Sequence, residues 1–205
     1  RVYFTDKQRG AVLRLSMDGL TPISEYGMSD YFKDNLKLTN RLIGSFDDKN
    51  DEYNVSFLFK DPANINNTVS FDEKAKGWVS FKSFVPEVAF SSSSNYYSFD
   101  KGNLYQHDIG FYNNFSTSFT ASSVDIIFND APGSIKSFKT LNYEGSQAKV
   151  VEETTDVRSG YYNLNQKQGW HVSSINTDQD EGQVAEFIKK EGKWFNYIKG
   201  INNII

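Results

Sequence analysis

No cysteine occurs among the 205 residues, which excludes disulfides, thiol nucleophiles and thiolate metal sites together. Histidine is almost as scarce. His107 and His171 are the only two, and neither stands in a His-x-x-x-His spacing. Each falls in a strand pattern, where a structural or surface role is the commoner one, so no metal site is expected. There is no Gly-x-Ser-x-Gly nucleophile turn and no Gly-rich phosphate loop. No apolar run approaches the ~18 residues of a membrane span, and no signal-peptide pattern is present. Long basic runs are missing too. With a net charge of −4 and a pI of about 5.3, neither nucleic acid nor an anionic membrane is an expected partner. Leu and Ala are few, which disfavours long helices.

Aromatic residues take their place: 17 Phe, 12 Tyr and 3 Trp make up 16% of the chain. Together with abundant Ser, Asn and Asp they favour strands and turns. The organising stretch is Thr68–Phe84, TVSFDEKAKGWVSFKSF. It reads as strand, charged turn (Asp72 to Gly77) and strand, with Trp78, Ser80 and Lys82 alternating against Val79 and Phe81. Its grammar recurs in YFTDKQRGAVLRL (3–15), SFDDKNDEYNVSF (45–57) and SFDKGNLYQHD (98–108). Each has an aromatic residue, an acidic residue two on (one on in the last) and then Lys7, Lys49, Lys74 or Lys101. Phe46 to Tyr53 and Phe71 to Trp78 are both seven residues, and Phe99 to Tyr105 is six. The lysines are spaced 42, 25 and 27 apart. The first step fits the ~40–45-residue period of a propeller blade, and the others fit half a blade, two hairpins building one four-stranded sheet.

The expected fold is therefore mainly β: repeated antiparallel hairpins, partly propeller-like or meandering, over residues 1–110, then a β-rich α+β region over 111–205. A short helix is expected after Ser29-Asp30. Ser91–Asn95 reads as a flexible tract. Phe119–Phe128 reads as a strand, Ser134–Leu141 as a short helix with Ile135, Phe138 and Leu141 three apart, Gln168–Val172 as a strand and Gln183–Lys190 as a further short helix. Lys193–Gly200 reads as extended. The chain opens without Met inside a strand pattern and stops in INNII, so it is expected to be a segment of a larger protein.

Carboxylate pairs abound: Asp47-Asp48, Asp72-Glu73 and Glu152-Glu153. Glycoside hydrolysis uses two carboxyls across a cleft, but pairs beside Lys in hairpin turns read as solvated turns. Asn176–Gly182 begins like a calcium loop, yet Glu181 and Phe187 stand where that loop needs Gly and Glu. No catalytic residue, cofactor or metal is expected, and the chain reads as a non-enzyme. The residues singled out are aromatics suited to an interface or to stacking on glycan: Trp78, Tyr96, Tyr97, Tyr161, Tyr162, Trp170, Trp194 and Tyr197. Neighbours in the doublets Tyr96-Tyr97 and Tyr161-Tyr162 fall on opposite strand faces, which leaves one ring of each exposed.

IGSFDDKNDEYNVSF, TVSFDEKAKGWVSFKSFVPE and YYSFDKGNLYQHD, with VYFTDKQRGAVLRLSMDGL before them and DEGQVAEFIKKEGKWFNYIKG near the end, resemble virion structural proteins of large tailed phages. The resemblance is to T4-like cyanophages and, more loosely, to crAss-like phages. It covers most of 1–108 and 168–200, and 111–167 only weakly through VDIIFNDAPGSIKSFKTLNYEG. It implies a tail or baseplate-type virion component, homo-oligomeric and partnered by other virion proteins. The alternative is a carbohydrate-binding, host-recognition module of a tail protein.

Overall fold

The structure, a computed structural model, describes residues 1–115, 118–152 and 165–200. The chain divides into two compact units, Arg1–Ile126 and Ile127–Ile205. Both are built of small antiparallel sheets; no barrel closes, and the described residues contain one short α-helix.

In the first unit, β1 (Val2–Asp6), β2 (Ala11–Ser16) and β3 (Gly19–Pro22) form a meander. Helix α1 (Ser29–Asn35) follows, with Met28 rather than Ser29 or Asp30 at its N-cap and no side-chain cap. Four strands come next in sequence order as one sheet: β4 (Thr39–Asp47), β5 (Glu52–Phe59), β6 (Asn67–Asp72) and β7 (Gly77–Lys82). Two of the repeated hairpins thus build one four-stranded sheet, whereas the first and the fourth lie in separate three-stranded sheets, so the lysine spacing does not mark a repeated blade. A third sheet joins β8 (Val88–Ser92), β9 (Asn95–Asp100) and β10 (Asn103–Gln106), and a short ribbon, β11 (Asn114–Phe115) with β12 (Ser118–Phe119), ends the unit.

The repeat has a physical cause. In the first three hairpins the opening strand ends on Asp6, Asp47 or Asp72, four loop residues follow, and the next strand begins. The Asp carboxylate turns back to accept the loop amides: Gln8 and Arg9 on Asp6, Lys49 and Asn50 on Asp47, Lys74 and Ala75 on Asp72. Each loop closes on a left-handed residue, Gly10 at φ 68°, Asp51 at 59° and Lys76 at 51°. At Gly10 a side chain is doubly forbidden, because a Cβ would also lie 2.5 Å from the Lys33 Cα of α1. The β9–β10 hairpin shortens the loop to Lys101 and Gly102, both left-handed. The tract Ser91–Asn95 is likewise no flexible stretch. Ser91 and Ser92 end β8, and Ser93 and Ser94 form its tight turn to β9 with φ of 50° and 58°.

The alternation expected in Trp78–Lys82 is broken by a bulge. Ser70 pairs with Ser80 but Phe71 pairs with Trp78, leaving Val79 unopposed. Trp78 therefore joins Phe71 on one sheet face while Ser80 and Lys82 stay on the other. That first face is apolar: Tyr53, Val55, Phe57, Val69 and Phe71 pack on Val12, Ile23, Phe32 and Leu36. Trp78 lies 4.5 Å from Phe32 and 5.3 Å from Phe71, and its indole N–H donates to the Ile23 carbonyl at 2.9 Å. The opposite face is polar yet also buried. Ser45, Asn54, Ser56, Thr68 and Ser70 line it, joined by Ser56–Thr68 (2.6 Å) and Ser70–Asn54 (2.5 Å) bonds. The third sheet reaches it through Tyr96, whose hydroxyl lies 2.7 Å from Ser45 Oγ, and through Ser91, which donates to the Phe46 carbonyl.

One charged turn is not solvated. Glu73 has a side chain only 3% exposed; Arg14 reaches it at 2.5 Å and the Tyr3 hydroxyl donates to its other oxygen. Burial and then the Glu73 carboxylate hold the Tyr3 phenol well above its usual range. Asp47 is buried as well and is satisfied by its own loop, including the Asn50 side-chain amide at 2.9 Å. The solvated-turn reading fails for these two because each is the acceptor of its surroundings. Glu153 of the third pair lies outside the described residues.

In the second unit, β13 (Thr140–Tyr143), β14 (Val172–Asn176), β15 (Glu181–Val184), β16 (Ile188–Lys190), β17 (Lys193–Tyr197) and β18 (Lys199–Gly200) form two sheets, ordered β13-β17-β16 and β14-β15-β18. Ala148, Val150, Val184, Phe187 and Trp194 are the core. Neither expected helix is present. Gln183–Lys190 is the end of β15, a connection and β16, and of Ser134–Leu141 the residues before Thr140 have no ladder pairing while Thr140 and Leu141 open β13. Of Phe119–Phe128 only Phe119 is in a strand, and Trp170 makes a single parallel bridge to Ala148 ahead of β14.

Two tests follow from the first unit. Removing the Glu73 carboxylate leaves Arg14 and Tyr3 facing a buried gap, so Glu73→Ala is expected to lose roughly 3 kcal/mol. Urea unfolding read through hydrogen exchange of β5 and β6 amides measures it, and an unshifted midpoint refutes the role. His107 lies among Phe84, Tyr96 and Phe115, at 4.8, 4.8 and 5.3 Å between ring centres, and bonds Ser98 Oγ at 2.7 Å. Burial lowers its pKa below the ordinary 6.5; Lys82 lowers it further, and Asp108 and Asp47 oppose. The unfolded chain then binds the proton more readily. This part of the stability is full above the ordinary value and is lost as pH falls through the folded one. His107→Gln is expected to flatten the decline of stability below about pH 6.5; parallel curves for variant and parent count against it.

Candidate interaction surfaces

Large apolar side chains stand in solvent in register on the two outer sheets of the first unit. On the meander, Val2 pairs with Leu15 and Leu15 with Leu20, a row of three across three strands, all exposed. Phe4 on β1 and Met17 in the turn add to it. On the third sheet, Val88 pairs with Phe99 and Phe99 with Leu104, and the next row sets Phe90 opposite Tyr97 with rings 5.7 Å apart. Val88, Phe90 and Leu104 are exposed. Both rows follow from strand alternation. The inner positions serve the unit's interior, and the outer ones, which would be polar on a solvated surface, are apolar here.

A second exposed apolar set lies along 121–139, which runs without ladder pairing. Val124 and Ile126 of the first unit and Ile127, Phe128 and Ile135 of the second are all exposed, Ile135 fully so at 100%. The three-residue spacing of Ile135, Phe138 and Leu141 that suggests a helix face does not act as one. Only Leu141 packs on a core.

The aromatics singled out from the sequence scatter. Trp78 is half-buried in the first core, and Tyr96 is buried with its hydroxyl on Ser45, so neither offers a free ring face. Tyr97 is half-buried against Phe90. Trp194 is buried in the second core, where its N–H donates to the Gly145 carbonyl at 3.0 Å. Trp170 and Tyr197, 41% and 66% exposed, are the free rings. Tyr161 and Tyr162 lie outside the described residues. Sequence reasoning missed the apolar rows, although Val2, Phe4, Leu15 and Leu20 carry the same period-2 signal as a core face. Only the fold says which face is inner.

The second unit also holds an open cleft of about 510 Å³, lined by Ser146, Gln147, Lys167, Gln168, Lys189 and Trp194 around Ala148. Its wall is set by main chain. Val150 and Lys167 exchange two amide bonds of 2.9 and 3.0 Å, and Lys149 N–H donates to the Trp170 carbonyl at 2.8 Å. Lys189 lies over the Trp194 ring, its ammonium 5.4 Å from the ring centre. Among the described residues no three metal-ligating side chains come together. Asn176–Gly182 is a hairpin end: Thr177–Asp180 turn between β14 and β15, and Thr177 accepts the Asp180 amide and donates to its carbonyl.

Residues 110–200 match the family model of the Crassvirus muzzle protein C-terminal domain. That family is a virion component, and the match supports a structural protein of a crAss-like phage, located in the virion. It takes in the second unit's described strands and the end of the first unit; residues 1–109 lie outside it. It bears on the crAss-like side of the sequence resemblance and does not show the T4-like cyanophage side. No curated protein matches the chain.

The cleft wall depends on Gly169, where a Cβ would lie 2.6 Å from the Ala148 carbonyl carbon and 2.7 Å from its nitrogen. Backbone must shift to admit it. Gly169→Ala is expected to destabilise the second unit by about 1–3 kcal/mol and to speed hydrogen exchange at Lys149 N–H. Unchanged exchange there would show that the bridge tolerates the methyl.

Proposed function

We propose that the chain is a non-enzymatic structural module of a crAss-like virion, of tail or baseplate type, that assembles through its apolar outer faces with further copies of itself and with other virion proteins. The observation that carries this is the pairing of a family match to a virion protein with two registered apolar rows left in solvent. A monomer rarely exposes such faces, whereas an assembly part covers them. A meander and a third sheet, each apolar on the outside, offer neighbours two apolar surfaces.

The expected outcome is concentration-dependent self-association of the purified chain by light scattering, abolished by Leu15→Lys together with Leu104→Lys without a change in melting temperature. A monodisperse monomer that also fails to bind the other virion proteins of the same phage overturns the reading. The alternative, a carbohydrate-binding module for host recognition, is favoured by one observation: the exposed Trp170 is bridged to the wall of the lysine-lined cleft.

A further inference from the structure

We infer that the cleft of the second unit is a binding site for an anionic saccharide, one carrying carboxylate or sulfate groups. Two lysines line one open space, Lys167 and Lys189, and among the described residues neither is in an ion pair. Lys193, four residues on from Lys189, pairs with Glu144 at 2.9 Å instead. Two unpaired like charges facing a shared space make a local positive potential that an anion relieves.

The Lys167 backbone is clamped to Val150 by two main-chain hydrogen bonds, and the Lys189 ammonium sits over Trp194. A fixed backbone for one lysine and a seated ammonium for the other lower the ordering cost of binding. Gln147, Gln168 and Ser146 line the cleft as well, residues whose side chains carry amides and a hydroxyl. These groups both donate and accept, as sugar hydroxyls require. Trp170 is exposed and its main chain is bridged to Ala148, a lining residue, so its indole lies just outside the cleft, where the C–H side of a further sugar ring can rest. An acidic peptide would satisfy the lysines equally, but the amides, the hydroxyl and the free indole favour a polyhydroxylated ring. The cleft is open rather than enclosed, which suits one or two residues of a polymer entering from the side.

The cleft belongs to the second unit and the apolar rows to the first, so its test uses different residues from that of assembly. The full chain is titrated with sialyllactose, oligogalacturonate and a sulfated oligosaccharide, with lactose and a glutamate-rich peptide as controls. Calorimetry measures affinity, and the indole N–H signals of Trp170 and Trp194 report location. At least one acidic sugar is expected to bind and shift these signals, more weakly as salt rises, while lactose does not. The carboxylated and sulfated arms tell which anion is preferred. Lys167→Gln with Lys189→Gln is expected to lose at least about tenfold in affinity, and Trp170→Ala, which leaves the charges in place, several-fold. Absence of binding by every acidic sugar overturns the site, as do equal affinity in the double variant and binding of the peptide in place of the sugars. A chain that assembles but binds no acidic sugar refutes this inference alone.

Discussion

The first unit depends on one buried carboxylate. Glu73 lies in the loop between β6 and β7, on the central sheet, yet its partners Tyr3 and Arg14 come from the meander. A carboxylate this deeply covered is tolerable only when its charge is met. The ion pair therefore fixes where the meander lies as firmly as the apolar contacts do. Tyr3 serves both, since its ring stacks on Tyr53 at 4.1 Å while its hydroxyl meets Glu73. Lys7 adds a further tie by donating to the Thr39 carbonyl at the start of β4. The hairpin turn that looks from the sequence like a solvated flourish is the joint on which two sheets meet.

With the meander held there, both faces of β5 and β6 are covered. The apolar face takes the aromatic core, and the polar face takes a layer of Ser, Thr and Asn whose hydroxyls bond one another. This explains the modest aliphatic content. Half of the central interior is filled by small polar residues, which stay stable only as a connected network. The bulge at Val79 is what allows it. By turning Trp78 over to the apolar side while Ser80 and Lys82 remain on the polar side, it gives β7 two faces of the right kind. Lys82 then reaches Glu52 at 2.6 Å across the polar layer.

The hairpins were legible because their chemistry is local. An Asp that caps its own loop and a left-handed residue four positions on leave a pattern in a dozen residues. The bulge was not legible, since Trp78-Val79-Ser80 alternates as well for an unbroken strand as for a broken one. Nor was the burial of Glu73, which depends on residues about 60 to 70 positions away. In the second unit, Val184 and Phe187 are both buried at a spacing that imitates a helix. Gly182 shows why it is not one: it pairs with Gly200, and a Cβ there would lie 2.9 Å from an Ile198 methyl. A connection between two short strands produces the same three-residue interval. Of the aromatics chosen as candidate contacts, the sequence could not separate Trp194, a core ring, from Tyr197, a free one, although strand neighbours alternate between faces.

The outer faces carry the remaining physical consequence. Central strands covered on both sides need two flanking layers, and each flanking layer has an outside of its own. In a protein that works alone, those outsides would carry charged and polar residues at every second position. Here Leu15 and Leu104 occupy such positions, each paired across the sheet with further apolar side chains. Leaving these rows in water forfeits the burial free energy of each side chain, and a contact that covers them recovers it. The same alternation that builds the interior thus continues outward, and any layer laid over these rows would extend the burial that begins at the core.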